Sequence, residues 1–238
     1  MRRERRAGRA EPQHRAQRQG RSSRIDLTIS PGRITALLGA NGAGKSSLVL
    51  SIAGVLPATS GSIAMDGQSI VGLRPETIRA GGVAAVPEGH QVLNDLSVED
   101  NLKVAGSHLA RPQLKAALEV ALGTFPELRD RLQARSGTLS GGQQQMVALA
   151  QAIIARPRYL LADELSFGLA PVVVARLVPV LQGLAAQGVG VLLIEQFTHI
   201  ALKIAHAAYV MERGKICFAG EPQELIDRPE ILHSAYLA

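Results

Sequence analysis

A glycine-rich stretch set between an apolar pentapeptide and a helix-forming run limits the fold of this chain more than any other feature. Ile34 to Leu38 reads as a buried strand, and Gly39-Ala40-Asn41-Gly42-Ala43-Gly44-Lys45-Ser46-Ser47 follows it as a loop that opens a helix. The glycines permit positive φ and close backbone approach, so successive N–H groups can point inward at phosphate oxygens. Lys45 adds a cationic head for the outer phosphates, and the Ser46 hydroxyl can ligate Mg²⁺. The helix that starts here brings its positive dipole end to the same spot. A glycine turn ahead of a helix explains some of the glycines but not the Lys-Ser pair after them. Alone, strand, phosphate loop and helix in that order identify only a phosphate binder.

A second segment supplies acid groups. Tyr159-Leu160-Leu161-Ala162 reads as a short buried strand that ends in Asp163 and Glu164. Open α/β sheets place their ligands at the carboxyl ends of strands. Asp163 is suited to hold Mg²⁺, and Glu164 to polarise an attacking water. Alone, two carboxylates at a strand end would be ordinary solvated groups, but the phosphate loop upstream gives them a partner site. A third segment, Leu139-Ser140-Gly141-Gly142-Gln143, opens a helix expected over Gln143 to Ala155, whose N-terminus offers the Ser140 hydroxyl and glycine N–H groups to an anion.

The ordered trio of phosphate loop, Leu-Ser-Gly-Gly-Gln and apolar strand with two carboxylates resembles the ATP-binding-cassette ATPases from about Ile25 to the end of the chain. The resemblance implies a P-loop NTPase (RecA-like) α/β core with antiparallel β strands and a helical insertion subdomain. It implies ATP and Mg²⁺ as ligands, with Lys45 and Glu164 catalytic, Ser46 and Asp163 on the metal, and the loop from Gly39 to Ser47 on the nucleotide. It also implies that Ser140 to Gln143 of one subunit close over the γ-phosphate held by another. Val86-Pro87-Glu88-Gly89, Ser166 to Pro171, Ile194-Glu195-Gln196 and Ser234-Ala235-Tyr236-Leu237 resemble one of the two ATPase subunits of bacterial branched-chain amino acid importers. In that subgroup Glu88 stands for the usual glutamine that senses the γ-phosphate, and Gln196 for the usual histidine.

Some positions depart from the family pattern. Ala162 replaces a larger aliphatic residue, and Leu165 replaces the proline expected after Glu164, which frees a backbone N–H and loosens the turn that sets Glu164. Pro179 interrupts the helical pattern of Val172 to Leu184 and predicts a kink. In related cassettes a strand precedes Ile25 and an aromatic residue near the position of Ala16 stacks on adenine. Here the first aromatic residue is Phe125.

Charge is unevenly placed. The chain has 238 residues with 26 Lys and Arg against 20 Asp and Glu, a net of +6. Residues 1–24 hold nine Arg and two Glu, net +7, so the remaining residues, with 17 basic and 18 acidic side chains, carry −1. The basic character belongs to the tail and does not argue for a nucleic-acid partner. That tail lacks the apolar residues needed to bury itself and is expected to be disordered, leaving 25–238 as the ATP-binding domain. It also has no apolar stretch of the secretory kind. Cys217 is the only cysteine, which excludes an intramolecular disulfide and fits the cytoplasm.

Along the chain, Ile25-Asp26-Leu27-Thr28-Ile29 alternates as a half-buried strand, and Gly61 to Gly67 reads as strand and turn. Val83 to Val86 is a further strand. Ser97-Val98-Glu99-Asp100 resembles a capping box and begins helical spacing up to about Ser136, within a helical subdomain over about 91–150. Strands return at Val189 to Ile194 and Ala208 to Met211, with Arg213-Gly214 as a hairpin turn.

No run approaches the ~20 apolar residues that span a bilayer. A single cassette of this kind must borrow its pore. The resemblance implies a second ATPase subunit, two integral-membrane permease subunits, a separate substrate-binding protein, and a peripheral place on the cytoplasmic membrane face. The transported molecule touches other chains, so urea, amides or other amino acids stand beside branched-chain amino acids as alternatives. A catalytically impaired subunit and a non-transport ATPase are the remaining readings.

Overall fold

The computed structural model describes residues 25–89, 92–196 and 198–237. In chain order the elements are β1 (Ile34–Leu38), α1 (Lys45–Ile52), the short hairpin β2 (Ala64–Met65) and β3 (Gln68–Ser69), α2 (Pro75–Ala80), β4 (Val83–Val86), α3 (Val98–Ala105), α4 (Arg111–Thr124), α5 (Gly141–Ile154), β5 (Tyr159–Asp163), α6 (Pro171–Ala186), β6 (Gly190–Ile194), α7 (Thr198–Ile204), β7 (Ala207–Glu212), β8 (Lys215–Gly220), α8 (Pro222–Asp227) and α9 (Glu230–Leu237). Short 3₁₀ turns at Pro126–Arg131 and Ser136–Thr138 join α4 to α5.

Six strands make one sheet in the order β4-β5-β6-β1-β7-β8. Every neighbouring pair is parallel except β7 with β8. The central strands are continuous aliphatic runs because both sheet faces are covered; all five residues of β1 and of β6 are buried. Ile34, Ala36 and Leu38 face one apolar cluster with α3, α4, α5 and α6, while Leu37 faces a second with α1 and the β2–β3 hairpin. The β7–β8 turn falls at Arg213 and Gly214, with φ of 46° and 78°, the left-handed pair that a two-residue hairpin uses.

Local chemistry sets the helical region. Ser97 caps α3 by accepting from the Asp100 N–H, and its hydroxyl donates to the Asp100 carboxylate at 2.6 Å. The buried Asn101 on the same helix accepts from the Leu93 N–H at 2.8 Å and donates to Ser136 Oγ at 2.9 Å, tying both ends of the insertion together. α6 runs as one helix through Pro179, because Leu177, Leu181 and Leu184 on its buried face hold it against the core.

Ile25 to Ile29 does not form the expected strand: residues 25–30 have no regular structure. A strand needs a ladder partner, and among the described residues none pairs with this segment. The alternation still marks a buried face, since Ile25, Leu27 and Ile29 pack against the second cluster. The Arg-rich tail and the position of Ala16 lie outside the described residues.

Candidate functional site

The carboxyl ends of β1, β4, β5 and β6 share one edge of the sheet, and they carry the phosphate loop, Glu88, Asp163 with Glu164, and Gln196 respectively. Gly39 leaves β1 at φ 141°, and a Cβ there would stand 2.1 Å from the Met211 carbonyl oxygen of β7. Gly44, at φ 105°, forms the N-cap of α1 without any capping side chain. The N–H groups of the first turn of α1 are therefore not claimed by a cap and face the hollow of the loop.

The loop is held from outside as well. The Gly39 N–H donates to Tyr236 Oη of α9 at 3.2 Å, and the Gly214 N–H of the hairpin turn donates to the Ala43 carbonyl at 2.8 Å. Lys45 is 5% exposed; its Nζ donates to the carbonyls of Gly39 at 2.8 Å and Ala40 at 3.0 Å and lies 4.0 Å from Glu164 Oε1. Burial pulls the Lys45 ammonium below its ordinary pKa, while Glu164, Asp163 and Glu88 oppose that shift.

Asp163 ends β5 with its side chain buried. Burial raises its pKa, opposed by a hydrogen bond with Ser46. Its Oδ1 is buried without a hydrogen-bond partner. A lone buried acceptor beside a serine hydroxyl at a phosphate loop fits a hard cation such as Mg²⁺, which takes one or two protein oxygens and completes its shell with water and phosphate. Among the described residues no cluster of three or more His, Cys, Asp or Glu side chains could cage a metal.

Glu164 follows in the left-handed region at φ 49°, sparsely populated for a side chain with a Cβ. Its N–H donates to the Ile194 carbonyl at 2.9 Å, which aligns the end of β5 with that of β6. Burial, then the Glu88 carboxylate, raises the Glu164 pKa, and Lys45 opposes them. A carboxylate with raised basicity beside a phosphate cradle has the properties of a general base.

The remaining expected residues divide into two groups. Glu88 and Gln196 are exposed on the loops that follow β4 and β6, so they border the cradle rather than line its floor. Ser140 caps α5, accepting from the Gln143 N–H at 3.3 Å while the Gln143 side chain accepts from the Ser140 N–H at 3.1 Å. This reciprocal cap moves the helix start to Gly141, two residues before the expected Gln143. Gly142 abuts Val173 near the start of α6.

Three contacts were not legible as parts of the site. Tyr236 and the β7–β8 turn support the phosphate loop, and Glu195 at the end of β6 accepts from both the N–H and the hydroxyl of Ser166. Tyr236, Glu195 and Ser166 all fall within the subgroup-like segments, but nothing in those segments states what the side chains touch.

Glu195 gives a pH test. Burial raises its carboxyl from 4.5 to about 7. Between those two values the folded chain holds a proton that the unfolded chain releases, so this group's stabilisation is full below about pH 4.5 and fades as pH rises through 7. A shift of this size corresponds to roughly 3 kcal/mol. Urea unfolding of the native protein and Glu195→Gln at pH 5 and pH 7.5 should show the variant gaining about that much relative stability at the higher pH. An unchanged gap would mean that Glu195 stays ionised throughout.

Known proteins resemble this arrangement over most of the chain. The ABC transporter family profile matches residues 22–166. The high-affinity branched-chain amino acid transport ATP-binding protein BraG of Pseudomonas aeruginosa is 39% identical over 213 residues, covering 90% of this chain and 91% of that protein. The probable branched-chain amino acid transport ATP-binding protein LivF of Archaeoglobus fulgidus is 35% identical over 207 residues, covering 85% and 86%. Among solved structures, an ATP-binding subunit of an ABC transporter superposes with a TM-score of 0.77 at 27% identity, covering 90% of this chain and 88% of that one.

Proposed function

The chain belongs to the ABC transporter family as an ATP-binding subunit, and on that premise we propose that it hydrolyses ATP to drive import of branched-chain amino acids through membrane permease subunits. The observation that carries the hydrolytic part is the convergence of Lys45, Asp163 and Glu164 at one sheet edge. Similarity to BraG and LivF along nearly their whole length supports the substrate class.

The backbone N–H groups of Gly39 to Ser47 cradle the phosphates, and the Lys45 ammonium leaves the Gly39 and Ala40 carbonyls to neutralise the outer ones. Ser46 and Asp163 would hold Mg²⁺, which would supply neutralisation of the phosphate charge. Glu164 takes the proton of the attacking water, its carboxylate lying 4.0 Å from the Lys45 ammonium of the loop. Glu88 and Gln196, on the rim, report the γ-phosphate to neighbouring subunits. Ser140 to Gln143, at the capped start of α5, close over the nucleotide of a second ATPase subunit.

A permease needs a landing place. An apolar groove of about 410 Å³ lies between α2, β4, α3 and α5, and Val55, Leu93 and Val104 on its wall are 57%, 49% and 47% exposed. Such exposure is costly for a free subunit and suits a permanent membrane-protein partner. Among the described residues no helix is long and apolar enough to cross a membrane, and attachment to the permease would hold the chain at the cytoplasmic face.

The test is reconstitution with candidate permease, second ATPase and binding-protein chains in vesicles. ATP hydrolysis should rise several-fold with leucine, isoleucine or valine on the binding protein, and not with urea or amides. Stimulation by urea or an amide alone would transfer the proposal to that substrate class, and an unstimulated complex would remove the import reading.

A further inference from the structure

The loop after Glu164 lacks the proline that the resemblance leads one to expect, yet its first two residues are buried. Leu165 is 2% exposed and Ser166 is also 2% exposed. The Ser166 N–H donates to Glu195 Oε1 at 3.2 Å, and the Ser166 hydroxyl makes a short hydrogen bond to Glu195 Oε2. Glu195 itself is 3% exposed, and it borders a small cavity lined by aliphatic side chains that include Leu177 and Leu181 of α6 and Ile200 and Ile204 of α7. The charged groups that act on it are Glu164 and Asp163, both of its own sign. A carboxylate kept in apolar surroundings beside two more carboxylates is expensive, and its two bonds to Ser166 offset part of the cost.

The backbone geometry shows what those bonds hold. Glu164 sits at φ 49°, and the bond from its N–H to the Ile194 carbonyl anchors it on one side. Two residues later the bond from Ser166 to Glu195 anchors the other side, and Ile194 and Glu195 are consecutive. The end of β6 thus grips the turn on both flanks of Glu164. Without that grip Glu164 would relax toward a commoner conformation and swing its carboxylate off line.

We propose that Glu195 is a positioning residue for Glu164: through Ser166 it fixes the turn that aims the base, in the place of the proline that Leu165 has displaced. This rests on the reading of Glu164 as the base. Glu195 touches no reacting atom. The bonds to Ser166, not the negative charge, do the holding, so an isosteric amide that accepts from the N–H and donates to Ser166 Oγ can replace it.

The experiment compares variants of the full chain in the reconstituted transporter, reading kcat and nucleotide affinity separately. Glu195→Ala should lower kcat about tenfold or more, as misplacement of a catalytic group does, with ATP affinity within about twofold of the native protein. Ser166→Ala should lower kcat in the same direction, and the double variant should be no slower than Glu195→Ala alone, because both remove one contact. Glu195→Gln should keep at least about half of the native kcat. The inference is overturned if Glu195→Ala or Ser166→Ala turns over at the native rate, if Glu195→Gln is as slow as Glu195→Ala, or if the two losses multiply. Should Glu195→Ala fail to fold, Ser166→Ala, which removes only a hydroxyl, decides alone. Glu164→Gln serves as the reference: full activity there sinks the base assignment itself, whereas an inactive Glu164→Gln beside a fully active Glu195→Ala sinks only the positioning role.

Discussion

Glu164→Gln should cut steady-state ATP turnover by about 10²-fold or more, the usual loss when a general base is removed. Nucleotide binding should survive, because the phosphate contacts come from the loop between β1 and α1 and from Lys45, 4.0 Å from the carboxylate. The amide has the same shape and keeps the backbone bond to Ile194, so the loss belongs to chemistry rather than folding. Single-turnover hydrolysis alongside nucleotide titration separates the two. A Glu164→Gln transporter that hydrolyses ATP at the native rate would assign the base elsewhere.

Gly39→Ala should be the most damaging small substitution in the cradle. The added carbon would stand 2.1 Å from the Met211 carbonyl oxygen, and both sides of that clash are backbone within the sheet. Neither can yield like a side chain, and φ of 141° is strained for alanine in any case. A loss of about 3 kcal/mol or more in folding stability is expected, with nucleotide binding falling alongside. Gly42→Ala is the control, since a Cβ at Gly42 meets nothing within 4 Å although φ is 81°. It should cost only about 1–2 kcal/mol. Urea unfolding of the two variants decides, and equal stabilities would show that the floor beneath Gly39 gives way.

These two positions also mark how much of the molecule can be read from its residues. The phosphate loop, the Asp163-Glu164 pair and the capped start of α5 are local, with the chemistry and the geometry lying within a few residues of each other. The aliphatic runs 34–38 and 190–194 announce strands buried on both faces for the same reason. Ile25 to Ile29 shows the limit of pattern, because alternation reports a buried face but cannot supply a ladder partner. Pro179 removes one backbone donor, yet α6 continues across it with the leucines at 177, 181 and 184 buried. The support of Gly39 by Tyr236 and the grip of Glu195 on Ser166 join residues far apart in sequence, and no local spacing encodes either. The placement of Ser140 to Gln143 relative to a second subunit belongs to an assembly and is reached only through the family.

The contact between Gly39 and Tyr236 spans 197 positions, and the turn that bonds Ala43 lies at Gly214. During synthesis the loop emerges well before its floor in β7 and its brace in α9. Contacts of such separation form late and limit folding speed. A chain that has not yet reached residue 214 therefore carries the loop's residues without the contacts that brace them from the β7–β8 turn and α9.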